Sequence, residues 1–331
     1  MHILLFVIYS VVLGYTITKL TFFRESRIRP LMLLLLFGLR VGAGCLHNYI
    51  AWRYFPNHGD IWNFFHGGMI SRQDLFTDFH RFVADNPIAW LPYNILELIN
   101  MVFDFFSVNN FYINTLLFSF FVFWGSIALF RFFRENFGDS LLCGCCALLI
   151  PSTIFWTACI HKEGLIFLLL SFFYFNFYRG IRKGWTLRRA LLCISLCAAV
   201  IIFRANLIVT ILPALILWIV KEKHWPSRRV NLSFSILLVA TFILFLTNPD
   251  LLTGIMRYIV LLQGQFQMLT GKSRIGLPVL EPTLLSFWHV LPTAILNGFF
   301  QPLPGAGGQL LYLAFSVELL LIWLIIFYSL W

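Results

Sequence analysis

Apolar runs close to the thickness of a bilayer alternate along this chain with short charged loops. A helix needs about twenty such residues to cross hydrocarbon, and lipid admits only segments whose backbone hydrogen bonds close internally. The runs cover 1–20, 31–46, 111–130, 141–157, 165–178, 191–203, 207–220, 232–247 and 310–330. They predict an all-α polytopic transmembrane bundle of about nine spans, with 1–331 as a single integral membrane domain. A composition of 60% apolar and 11% charged residues, with a mean hydropathy of +0.84, excludes a soluble domain. The first run, MHILLFVIYSVVLGYTITKL, is too long and too evenly apolar for a cleaved leader and reads as a retained helix.

The net charge of +10 does not mark a nucleic-acid partner. Arginine and lysine sit in short loops beside apolar runs, where they set topology and meet anionic membrane lipids. LTFFRESRIRP, RGIRKGWTLRR and KEKHWPSRR are read as cytoplasmic, which sends the N-terminus and the turn at 161–164 outward. The seven cysteines lie in or beside apolar runs and form no disulfide framework; Cys143-Gly144-Cys145-Cys146 lacks a zinc spacing and nearby ligands.

Two long segments interrupt the pattern. Residues 47–110 mix acidic, basic and aromatic residues, as short helices at a membrane interface do, and topology lays 88–106 along the surface. Residues 248–308 hold an apolar piece, 284–300, whose Pro292 and Gly298 suit a broken or re-entrant helix.

The stretch PSTIFWTACIHKEGLIFLLL reads as a hairpin with a cation and an anion at its tip. Lys162 and Glu163 must neutralise each other there or meet something bound. His58, Asp60, His161, Arg204 and Gln301 share the outer face with them, together with Trp62, His66, Lys272, Arg274 and His289. Arg40, inside the second run, either snorkels or meets a buried anion, and Glu318 lies within the last run.

Asp60 follows Gly59 and precedes Gly67-Gly68, so the backbone there can approach a ligand closely. A carboxylate beside an acceptor hydroxyl can take its proton as that oxygen attacks an anomeric carbon. Lys162 and Arg204 suit the phosphate of a lipid-linked leaving group. The plainer roles are a helix cap for Asp60 and a headgroup anchor for Arg204. His58, Asp60 and His66 are also suitable ligands for a divalent metal; no organic cofactor is indicated.

The succession GDIWNFF, PSTIFWTACIHKEG, FRANL and FFQPLPG resembles the GT-C-fold glycosyltransferases and the related lipid-linked oligosaccharide polymerases of bacteria, over most of the chain. In GT-C enzymes an acidic residue of an outer loop is the catalytic base and the donor is a sugar on a polyprenyl phosphate. The resemblance implies Asp60 as base, Lys162 and Arg204 as phosphate contacts, and a lipid-linked or cell-surface glycan as acceptor. It places the site on the outer face of the cytoplasmic (inner) membrane; His58, His161, Glu163, Arg40 and Gln301 are, on their own chemistry, further candidate substrate contacts. The acidic loop here follows the second helix rather than the first and carries a single Asp60. No Gly-rich phosphate loop or DxD pattern occurs in the cytoplasmic loops, which fits a lipid-linked donor better than a nucleotide sugar. A repeat-unit polymerase would use the same residues. A flippase would route its cargo past Arg40 and Glu318, and a non-catalytic scaffold would present faces of small residues.

Overall fold

The computed structural model describes residues 1–54, 59–86, 91–222, 232–236, 239–240, 243–244, 247–268, 278–303 and 310–330. Among these every regular element is helical. The chain divides into two compact units, Met1–Ile219 and Val220–Trp331.

The first unit is built on α7 (Phe111–Phe137), whose N-cap Asn110 accepts a hydrogen bond from the Ile113 amide. Three apolar helices pack on it: α1 (His2–Lys19), α3 (Pro30–Tyr54), which follows the single turn α2 (Thr21–Arg24), and α10 (Lys162–Lys183). α3 runs antiparallel to α7, with Phe37 against Phe123 and Asn48 donating to Thr115. α10 runs parallel to it. Gly164 faces Phe118, Gly125 faces Leu168, and Arg179 pairs with Glu135. A side chain on Gly164 would meet the Phe118 ring at 2.6 Å and the Thr157 carbonyl oxygen at 2.9 Å, so only glycine permits this approach.

At the C-terminal ends of α7 and α10 lies an arginine-rich layer. Arg131 is buried between Phe22 and Phe175, 4.8 Å from each ring, and pairs with Glu25, while Glu135 holds Arg179 and Lys183. Residues 158–163 sit at the other end, about 30 Å away along α10.

The expected run 141–157 is two helices, α8 (Leu141–Leu148) and α9 (Pro151–Thr157). Pro151 occupies the first turn of α9, where its missing N–H costs nothing, and it cannot continue a helix from before. α11 (Leu187–Glu222) is interrupted at Arg204 by non-helical angles, φ −153° and ψ 84°. Cys197 and Ile211 nevertheless line one small cavity with Phe173. Along a straight helix they would stand about 21 Å apart, so the chain turns back at Arg204. The expected outward turn at 204–206 is therefore a hairpin tip.

Residues 59–86 and 91–107 fold as α4 (Gly59–Thr77), α5 (Phe79–Asp85) and α6 (Leu91–Ser107). Asp78 caps α5 by accepting from the Arg81 amide. The pair Gly67-Gly68, expected to admit a ligand, instead admits α6: a side chain on Gly68 would stand 2.8 Å from the Glu97 carbonyl oxygen and from the Met101 amide. α6, expected along a surface, is wedged between α4 and α7 through Leu96, Asn100 and Asp104, all fully buried.

Among the described residues five helices are long and apolar enough to cross a membrane: His2–Lys19, Pro30–Tyr54, Phe111–Phe137, Lys162–Lys183 and Leu187–Leu207. Among the described residues the further apolar segments are 141–157, 210–220, 284–300 and 313–328, the last of them within a 21-residue helix, Leu310–Leu330.

The second unit holds α12 (Pro249–Met268), α13 (Leu284–Phe300) and α14 (Leu310–Leu330). The Gln263 amide donates to the Pro278 carbonyl and accepts from the Leu280 amide, tying the chain before α13 to α12. Thr283 caps α13. Pro292 does not break that helix, contrary to the expectation from its sequence. Trp323 of α14 donates to the Phe299 carbonyl and stacks on Phe300.

Candidate functional site

The turn after α9 is fixed from beneath. Ala158, Cys159 and Ile160 are wholly buried. Buried backbone oxygens must be satisfied, and here α3 and α7 supply the donors. Ser119 donates to the Ala158 carbonyl at 2.6 Å, and Arg40 donates to Ser126 Oγ at 2.8 Å, to the Thr157 carbonyl at 3.1 Å and to Thr157 Oγ1. The His47 ring stacks on Phe155 at 4.4 Å, with Nδ1 3.1 Å from both the Phe155 carbonyl oxygen and Cys159 Sγ. Arg40 therefore meets neutral oxygens of its own protein rather than a buried anion.

This cradle aims His161, Lys162 and Glu163 from the N-terminus of α10. Arg204 Nη2 donates to Glu163 Oε1 at 2.6 Å, and His161 Nδ1 touches Glu163 Oε2. Glu163 thus pairs with Arg204 and His161, not with Lys162. Burial, reinforced by His47, Lys162 and Arg204, pushes the His161 imidazole down to about 3. The Glu163 carboxylate opposes that shift, but it already neutralises the Arg204 guanidinium. His161 is accordingly a neutral ring. Lys162, half-buried, has no acidic partner among the described residues.

Asp60 lies in the first turn of α4, after Gly59 at φ 73°. It is exposed, and among the described residues it takes no hydrogen bond or ion pair. One turn further along α4 the Phe64 ring stands 6.4 Å from the His161 ring, and Ile61 packs with Ala51 and Cys159. Asp60 therefore shares the bundle end with His161, Lys162, Glu163 and Arg204. Its position in the first turn also favours the helix dipole.

His58, Lys272 and Arg274 lie outside the described residues. His66 follows Asp60 by six positions, which places the two about 120° apart around the helix and about 9 Å apart along it, too far to share one ion. Among the described residues no group of three or more His, Cys, Asp or Glu side chains is arranged to hold a metal. Gln301 caps the C-terminus of α13 in the second unit, His289 is exposed on that helix, and Glu318 is half-buried in α14.

A buried polar network behind α4 was not anticipated from the sequence. Asn114 Nδ2 donates to Asp104 Oδ1 at 2.7 Å and to Asn100 Oδ1 at 3.1 Å, and Arg72 Nη1 donates to the Asp104 carbonyl at 3.0 Å. Burial pushes the Asp104 carboxyl up to about 6, against the opposing pull of Asn114, Arg72 and Ser107. The available signal was a lone acid within MVFDFFS, whose immediate neighbours are all apolar and carry no balancing charge.

Comparison with protein-family models, with curated proteins and with solved structures returns no match for this chain.

Proposed function

We propose that the chain is a GT-C-type glycosyltransferase of the cytoplasmic (inner) membrane. In this reading the five long helices belong to a bundle of about nine spans, completed by the runs 141–157, 207–220, 232–247 and 310–330. The arginine-rich layer faces the cytoplasm and the 158–163 turn faces outward, the orientation favoured by the positive-inside rule. The enzyme moves a sugar or oligosaccharide from a polyprenyl-phosphate carrier onto a lipid-linked or cell-surface glycan.

The observation that carries this reading is a pair of uncommitted, opposite charges at one bundle end: exposed Asp60 on α4 and Lys162 at the start of α10. The Asp60 carboxylate takes the proton of an acceptor hydroxyl, and the hydroxyl oxygen forms a bond to the anomeric carbon. The bond from that carbon to the carrier phosphate breaks, and the phosphate leaves with the electron pair. Lys162 meets its charge, as does the side of the Arg204 guanidinium not bound by Glu163. Glu163 orients Arg204 rather than touching substrate, and neutral His161 buttresses Glu163.

A polymerase that joins repeat units uses the same groups and the same step. The transporter reading is weakened because Arg40, which would line its path, is enclosed by Ser126 and Thr157. The test is release of prenyl phosphate from a prenyl-phosphate-linked sugar by the purified full chain in the presence of glycan acceptor. Lys162→Ala should raise KM for the donor by about tenfold, as loss of a charge-assisted phosphate contact does. An unchanged KM removes Lys162 from the donor site.

A further inference from the structure

We infer that the face of α4 carrying His66, Arg72, Gln73 and Thr77 is a second ligand site, which takes the head group of an anionic glycolipid. The inference goes beyond the transferase reading and does not depend on it. A cavity of about 500 Å3 lies against this face, walled also by Asn109 from the α6–α7 turn. That volume suits a small-molecule head group, commonly about 300–1,000 Å3, and far exceeds what a bare ion needs. Arg72 lies about 18 Å along α4 from Asp60, so one sugar cannot touch both, and this is a separate site.

Arg72 is prepared for an anion. Nη1 is fixed on the Asp104 carbonyl and the guanidinium lies 5.8 Å from the Phe105 ring, so one edge is anchored. The other nitrogens have no acceptor among the described residues. A guanidinium held along one edge offers the remaining N–H groups as a fork to phosphate or carboxylate. Asp104 neutralises part of the charge from beneath.

The far wall is backbone under strain. Val108 and Asn109 are consecutive non-glycine residues at φ 55° and 59°, a left-handed conformation that Asn tolerates and the β-branched Val108 does not favour. Ser107 Oγ, accepting from the Asn110 amide, and the Asn110 cap of α7 hold the turn in place. The result sets Asn109 into the cavity wall. Strain of this kind gathers at ligand clamps, where the surroundings over-determine it.

The rest of the lining names the ligand class. The amides of Gln73 and Asn109, the His66 imidazole and the lone pairs of Thr77 offer both donors and acceptors, as a polyol needs. Met69, Ile70 and Phe76 supply an apolar side for the carbon faces of a sugar or the start of a lipid chain. A simple anion would leave the amides and the apolar wall unused, and a neutral lipid would leave Arg72 unused.

The test is equilibrium binding to the full chain in detergent micelles, read by native mass spectrometry. The probes are glucuronosyl diacylglycerol, neutral glucosyl diacylglycerol and phosphatidic acid. The charged glycolipid should bind at least about tenfold more tightly than either control, the scale of one charge-assisted contact. Gln73→Trp, which fills the exposed cavity without touching the Arg72 anchor, should remove that preference, and Arg72→Gln should equalise the two glycolipids. Equal binding of all three lipids, or full selectivity in Gln73→Trp, overturns the inference. Asp60→Asn should bind the probe as wild type does, so this inference and the transferase reading fail separately.

Discussion

Arg204 and Glu163, 41 positions apart, are joined by a 2.6 Å hydrogen bond between guanidinium and carboxylate. The contact fastens the hairpin tip of α11 to the first turn of α10. It also takes Glu163 away from its neighbour Lys162, and this leaves Lys162 able to meet a bound anion.

Removing either member of the pair should lower stability, and removing both should cost less than the sum. The side chains are 41% and 28% exposed, so the coupling should be about 1 kcal/mol. The exchange Glu163→Arg with Arg204→Glu should recover much of the loss. Thermal unfolding of the single, double and exchanged variants in detergent reads this directly. Lys162→Ala should leave the midpoint nearly unchanged, and a large drop would show that Lys162 is structural.

Gly68→Ala should destabilise the first unit by about 1–3 kcal/mol, because its new methyl group would meet the backbone of α6. Gly42→Ala in α3 has nothing within 4 Å and should be neutral or slightly stabilising, since alanine is the better helix former. Equal midpoints for the two variants would mean that α4 and α6 are not packed this closely.

Asp104 predicts a pH dependence of definite sign. A carboxyl whose folded-state value is raised from 3.8 to about 6 binds its proton more tightly when folded. Its contribution to stability is complete below about pH 4 and is lost as pH rises through about 6, a change of about 3 kcal/mol. Asp104→Asn, which can still accept from Asn114, should lack this loss and be the more stable protein at pH 7.5. Parallel pH profiles of wild type and variant would contradict the burial of Asp104.

Arg40→Ala should weaken the fold by about 2–4 kcal/mol, leaving a void and unpaired oxygens on Ser126 and Thr157. Donor KM in the fraction that folds should be unaltered. A raised KM with normal stability would return Arg40 to the substrate.

The helical hairpins were legible in the sequence where a charge interrupts an apolar run. FRANL marks the tip at Arg204 and HKEG marks the start of α10, because lipid leaves such residues few places to go. Partners were not legible. Nothing in KEG distinguishes a Lys162–Glu163 pair from the Glu163–Arg204 pair, which depends on two hairpins meeting. The pair His47-Asn48 and the lone Asp104 are polar positions in apolar surroundings, and their roles depend on which helices pack, information that periodicity does not carry. Gly67-Gly68 allowed either a ligand or a helix to come close, and α6 occupies the space. The division of 141–157 could have been read from Pro151, which starts helices far more readily than it continues them.

The most direct measurement is the level of lipid-linked glycan in cells carrying Asp60→Asn, with the membrane abundance of the variant matched to wild type. The account predicts normal insertion, donor lipid accumulating at the outer face, and loss of the glycan product. Unchanged glycan synthesis with the variant fully inserted would contradict Asp60 as the base, and with it the transferase assignment built on that residue.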